Sequence, residues 1–267
     1  MPRTLHVELP LLPVAQAKAR VLLLQSSPDL SEVAAVIEGD PGLTMAVLRA
    51  ANSPLSAPRT PVTTARRAVV RLGLGVTREI VVTALFQSEF SRVTGSGLDA
   101  GDFWRHLVGT AIVARSMAED EGQGLVYFSA GLLHDVGRLA LASQHPSTYR
   151  LIAERAQTER AMDLERGAFG IDHQLFGQDI CEAWGLPEEI VQAVGNHHHR
   201  SPEHTARAVY LAREVMAALE FGDGVTTHPV PDPDAPADAV EHLSDLLDGP
   251  RGLADRIRWY REATSLG

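Results

Sequence analysis

Apolar residues recur along this chain at three- and four-residue intervals, in blocks separated by short polar, proline or glycine breaks. That spacing is the signature of helices that bury one face. It predicts a helix over 31–37, after the turn at Pro28-Asp29, and a second over 43–51. The second must stop at Asn52-Ser53-Pro54, because proline lacks an amide donor and restricts the residue before it. Further helices are expected over 64–72 and 77–91, on either side of the glycine break Leu72-Gly73-Leu74-Gly75. After the glycine-rich stretch 95–101, helices follow over 103–118, 126–142, 148–158, 162–169, 173–184, 190–198 and 205–221. No alternating pattern of strand length competes with these, so the chain is expected to be all-α.

Two breaks divide it. The expected organisation is an N-terminal helical lobe over 11–94, a second helical lobe over 102–222, a Pro- and Asp-rich linker over 223–238 and a helical tail over 239–267. The linker is expected to be mobile.

Composition narrows the picture further. The 267 residues are 45% apolar but only 5% aromatic, so leucine, valine and alanine must do most of the packing, which favours helix. A net charge of −10 argues against a duplex nucleic-acid binder, which carries a basic footprint. A local basic run, Arg59, Arg66, Arg67, Arg71 and Arg78, stands against that average and is read as a solvated helix face. The single cysteine, Cys181, allows no internal disulfide and sits in an apolar stretch as a small core residue. No signal peptide or apolar run of membrane-spanning length is visible, so a cytoplasmic protein is expected.

Chemistry concentrates around Leu132-Leu133-His134-Asp135-Val136-Gly137-Arg138. Imidazole nitrogen beside carboxylate oxygen suits iron, manganese or zinc. His106 lies on the preceding long helix, His173 follows the doublet, and His197, His198 and His199 end a later helix. Histidines on successive helices build metal sites inside bundles. His106, His134, Asp135, His173 and at least one of His197 and His198 are therefore expected to share one pocket, with His199 at the surface.

The doublet and its flanking histidines resemble the HD superfamily of metal-dependent phosphohydrolases. Asp40-Pro41-Gly42-Leu43, Leu48-Arg49-Ala50-Ala51-Asn52-Ser53, the stretch 68–73 (AVVRLG) and Trp184-Gly185-Leu186-Pro187 before His197-His198 resemble the HDOD pattern more specifically. The likeness covers 11–222 and implies a two-lobed helical fold with an HD-like C-terminal bundle. It also implies that His106, His134 and Asp135 hold a divalent metal, with His173, His197 and His198 matching the extra histidines of HD-GYP phosphodiesterases. Asp102 matches a further carboxylate of some relatives, although an N-cap role competes.

The chain departs from the pattern in three places. The distal metal-binding Asp is replaced by Arg213, the usual lysine after the doublet's glycine is Arg138, and the GYP segment is missing. Arg213 has three possible dispositions: facing the pocket, paired with Asp135 in a bidentate fork, or extended to solvent. These losses imply a signalling or output module that binds a protein partner or a nucleotide-like ligand, with little or no catalysis. The alternative is a metal-dependent phosphohydrolase acting on a nucleotide or cyclic dinucleotide.

Overall fold

A computed structural model describes residues 29–87, 93–226 and 229–264. Helix dominates, and no strand occurs among the described residues. Local chemistry sets the first helices. Asp29 caps α1 (Leu30–Glu38), and Asp40 caps α2 (Pro41–Ala51), accepting from the amides of Gly42 and Leu43. Pro41 opens α2, where its missing amide costs nothing. Thr64 caps α3 (Ala65–Leu72), and Gly73 at φ +80° separates it from α4 (Leu74–Gln87). The expected helix 77–91 thus begins three residues early, and its last four residues lie outside those described.

The second group comprises α5 (Ala100–Arg115), α6 (Glu121–Leu133), α7 (Val136–Gln144), α8 (Pro146–Arg155), α9 (Ala161–Phe169), α10 (His173–Ala183), α11 (Glu188–Asn196) and α12 (His204–Ala218). The first group and this one share a continuous apolar core of mostly leucine, valine, isoleucine and alanine, which includes the buried Cys181. Burial pushes the Cys181 thiol well above its usual range, as befits an inert core residue. No helix among the described residues is long and apolar enough to cross a membrane.

The tail forms two helices, α13 (Ala237–Leu246) and α14 (Gly249–Thr264). The second returns to α2, α4 and α5, burying Leu253, Ile257, Tyr260 and Ala263. The Trp259 indole N–H donates to Ser53 Oγ at 2.7 Å, and the Tyr260 hydroxyl donates to Glu79 Oε2 at 2.5 Å. Arg115 from α5 pairs with the same carboxylate. Burial raises the Glu79 pKa even against Arg115 and Tyr260, so the charged form depends on both donors. Tyr260→Phe is therefore expected to lower stability by ~2 kcal/mol, since a buried carboxylate loses a donor. An unchanged urea midpoint would show that the contact contributes nothing.

Candidate metal centre

The stretch 126–142 is expected to be one helix, and the structure breaks it at the doublet. Helix α6 ends at Leu133, Asp135 takes φ −104° and ψ 21°, and α7 begins at Val136. The reason is geometric. Neighbouring residues on a regular helix point about 100° apart, so one continuous helix could not aim both side chains at one spot. The break turns His134 and Asp135 inward together, leaving them 0% and 2% exposed. Other helix ends converge there: His173 opens α10 and His197-His198 follow α11, while His106 comes from the middle of α5.

Hydrogen bonds fix the imidazole tautomers. His134 Nδ1–H donates to the Gly131 carbonyl at 2.7 Å, and His197 Nδ1–H to the Val194 carbonyl at 2.6 Å. His173 Nδ1–H donates to Glu165 Oε2 at 2.6 Å. Each bond leaves an Nε2 lone pair facing inward, the arrangement typical of metal-binding histidines. Asp135 Oδ1 stands 3.3 Å from His173 Nε2 and 3.5 Å from His197 Nε2, and Oδ2 stands 3.6 Å from His134 Nε2. His106 Nε2 lies 3.1 Å from His134 Nε2, and His198 Nε2 lies 2.9 Å from His173 Nε2.

Two groups of donor atoms result, each mutually within 4.8 Å: His106, His134 and Asp135, and Asp135, His173, His197 and His198. Asp135 belongs to both. Asp135 Oδ1, His197 Nε2 and His106 Nδ1 are buried without a hydrogen-bond partner. A buried acceptor left without a donor is costly, and a cation at this point would satisfy the first two. The residues present therefore fit a divalent ion.

Charge supports the same fit. Burial pushes the His106 and His134 pKa values down to about 3 and that of His197 to about 4, so all three are neutral, as metal ligands must be. Burial alone would raise the Asp135 carboxyl, but the Arg138 guanidinium leads the neighbours that outweigh it and hold the group well below its usual range. Arg138 Nε lies 3.5 Å from Asp135 Oδ2, and its Nη1 donates to Asp223 Oδ2 at 3.0 Å. Arg213 is half-buried and turns towards the site without forking onto Asp135. Its Nη1 donates to the His197 carbonyl at 3.0 Å, and its Nε has no partner. Three carboxylates (Asp135, Asp223, Glu165) against two guanidiniums leave one net negative charge for an ion to neutralise.

The cap role considered for Asp102 falls to Asp99, whose side chain accepts from the Asp102 amide at 2.7 Å; Asp102 itself pairs with Arg105 in the first turn of α5. His199 is exposed. Two residues that support the site do not stand out in the sequence reading. Glu165 accepts from the Tyr149 hydroxyl at 2.7 Å and from the His173 amide at 2.9 Å, fixing that histidine at two points. Its signal was its spacing: Met162, Glu165 and Phe169 share one buried face of α9. Asp223 comes from the segment read as a linker, and composition carried no hint of its partner Arg138.

Comparison with known proteins gives a consistent picture. The HDOD domain family matches residues 9–200. An HDOD domain protein of unknown function from Geobacter sulfurreducens superposes with a TM-score of 0.75 at 25% identity, over 96% of this chain and 93% of that one. A protein from Marinobacter aquaeolei VT8 proposed to act in signal transduction shares the fold, with a TM-score of 0.70 at 20% identity over 97% of this chain and 62% of that one. An uncharacterised protein of Treponema pallidum (strain Nichols) is 25% identical over 229 residues, 80% of this chain. This chain spans 44% of that curated relative's length.

Proposed function

The chain belongs to the HDOD domain family, and from that premise we propose that it is a signalling module whose histidine–aspartate pocket holds a first-row divalent ion without efficient hydrolysis. The carrying observation is the set of three imidazoles whose Nδ1–H groups are spent on Gly131, Val194 and Glu165, so that their Nε2 lone pairs converge on the carboxylate of Asp135. His106, His134 and Asp135 would hold one ion, and Asp135, His173, His197 and His198 a second or an alternative position. A nitrogen-rich set with one shared carboxylate suits iron, manganese or zinc and disfavours magnesium. Such an ion polarises phosphoryl oxygens or lowers the pKa of a bound water.

The residues around it argue against turnover. Asp135 is already balanced by Arg138, and Arg213 brings a second cation where charge-balancing carboxylates would serve a two-metal hydrolase. His106, His134, Asp135, His173 and His197 are 0–4% exposed, which leaves a phosphate little room to reach them, while His198, Arg213 and Asp223 are half-buried at the edge of the site. The pocket then serves as a structural or ligand-sensing element, and output passes to a protein partner or through a nucleotide-like ligand.

Metal analysis of protein purified without chelator, alongside a phosphodiesterase assay, tests the reading. Bound iron, manganese or zinc with no multiple turnover is expected. Clear turnover of a cyclic dinucleotide or nucleotide, abolished by Asp135→Ala, would establish the phosphohydrolase alternative instead. Charge reversal gives a second test. A unit charge and a divalent ion about 5 Å apart interact by several kcal/mol at an effective dielectric near 20, less where solvent screens them. Arg213→Asp is expected to tighten metal binding by ~10- to 100-fold, read by competition with a chromogenic chelator. Unchanged affinity would mean that Arg213 does not oppose the ion.

A further inference from the structure

Residues 41–78 contain no Asp or Glu but six arginines, in a chain whose net charge is −10. The sequence predicts a solvated face for five of them, and the structure divides that run. Arg78 is buried, whereas Arg59, Arg67 and Arg71 line one cavity of about 400 Å³ together with Ala57, Thr60 and Val62. Arg59, Arg66 and Arg67 are exposed and form no ion pair among the described residues.

The loop between α2 and α3 that shapes this cavity is held unusually firmly for a surface connection. Pro54, Pro58 and Pro61 each fix a backbone torsion. Asn52 clamps the base: its Nδ2 donates to the Leu48 and Val62 carbonyls, and its Oδ1 accepts from the Val62 amide, all at 2.8 Å. Ser53 Oγ donates to the Ala50 carbonyl and accepts from Trp259 of the returning tail helix. Arg71 ties α3 to the loop, donating from Nε to Ser56 Oγ at 3.0 Å and from Nη2 to the Ser56 carbonyl. Ala57 is kept at φ +40°, a conformation non-glycine residues avoid. Strain of that kind persists only where its surroundings enforce it, and it marks functional loops.

We propose that this cavity is a second site, binding a ligand through a di- or triphosphate group held by Arg59, Arg67 and Arg71. Guanidinium forks match phosphate oxygens two at a time, which lysines do not. The volume lies in the range of small-ligand pockets and exceeds what a lone orthophosphate fills. No aromatic side chain lines it, so the site reads phosphate charge rather than a stacked base. The site is separate from the histidine pocket and does not depend on a metal there.

Isothermal titration of the full chain with inorganic pyrophosphate, at low salt and with EDTA present, tests the proposal. EDTA keeps phosphate from being held by an ion at the other site. One-to-one binding at millimolar affinity or tighter is expected, weakened at least ~10-fold in Arg59→Ala/Arg67→Ala, since a combined loss of about 1.4 kcal/mol from the two contacts is already tenfold. Both side chains are exposed, so the variant should fold, and Arg105→Ala should leave binding unchanged. Titrations with ATP and with inorganic triphosphate then distinguish a nucleotide from a free polyphosphate by whichever binds more tightly. No pyrophosphate binding up to about 10 mM, tenfold beyond the millimolar affinity expected, would overturn the proposal. So would equal affinity in the double variant.

Discussion

Gly137→Ala is expected to destabilise the protein by ~3–5 kcal/mol and to abolish metal retention. On helix propensity alone the change should help by about 1 kcal/mol. Sterics reverse that sign. A Cβ at Gly137 would stand 2.0 Å from the His173 carbonyl oxygen and 2.6 Å from the Gly177 amide nitrogen, both backbone atoms of α10. Backbone cannot swing aside as a side-chain tip can, so α10 as a whole must retreat from α7. Its first residue is His173, whose imidazole meets Asp135, Glu165 and His198. The loss therefore falls on the site as well as on the core. A denaturation midpoint equal to that of the unmodified protein would show that the two helices do not pack this closely.

The glycine two residues after Asp135 was visible in the sequence as part of the doublet motif, but its reason was not. Periodicity resolved most helices because each buries a stripe and ends at proline, glycine or a capping Asp, as at Asn52-Ser53-Pro54 and Asp40. It could not see the break at His134-Asp135, since the apolar spacing runs on unbroken from Leu132 to Leu141. The break is enforced from outside, by side chains that other helices bring to the same point. Asn52 and Ser53 were legible as a motif and a helix stop, but their partners Val62 and Trp259 are tertiary. The tail helix shows the same limit. Composition gave α14 its helix, whereas its docking depends on Glu79, 181 positions away from Tyr260. Arg213 is the clearest case: its identity was plain, but its three dispositions could be separated only by the His197 carbonyl that holds it.

The buried histidines also predict that the metal-free protein is acid-labile well above the pH at which carboxylates titrate. Burial, with neighbouring positive charge, brings His106 and His134 down to about 3 and His197 to about 4. In the unfolded chain each returns to about 6.5. Between these values the unfolded state binds more protons than the folded one, so stability is complete above pH ~6.5 and falls as pH drops towards 4. Each histidine contributes at most ~1.4 kcal/mol per pH unit, and the three together up to ~4 kcal/mol. Over one and a half units that approaches 6 kcal/mol, comparable with the ~5–15 kcal/mol that stabilises an ordinary domain. Asp135 and Glu165, held below their usual range, add a loss of the same sign at lower pH, as the medium falls through their folded values. A bound divalent ion acts in the same direction, because it too requires neutral imidazoles. Calorimetric unfolding near pH 5.5 with EDTA, in buffers of different ionisation enthalpy, counts the protons directly. Uptake of roughly two to three is expected from these histidines; uptake below one, or a melting temperature flat from pH 7 to 5, would mean that the imidazoles are not held neutral by burial.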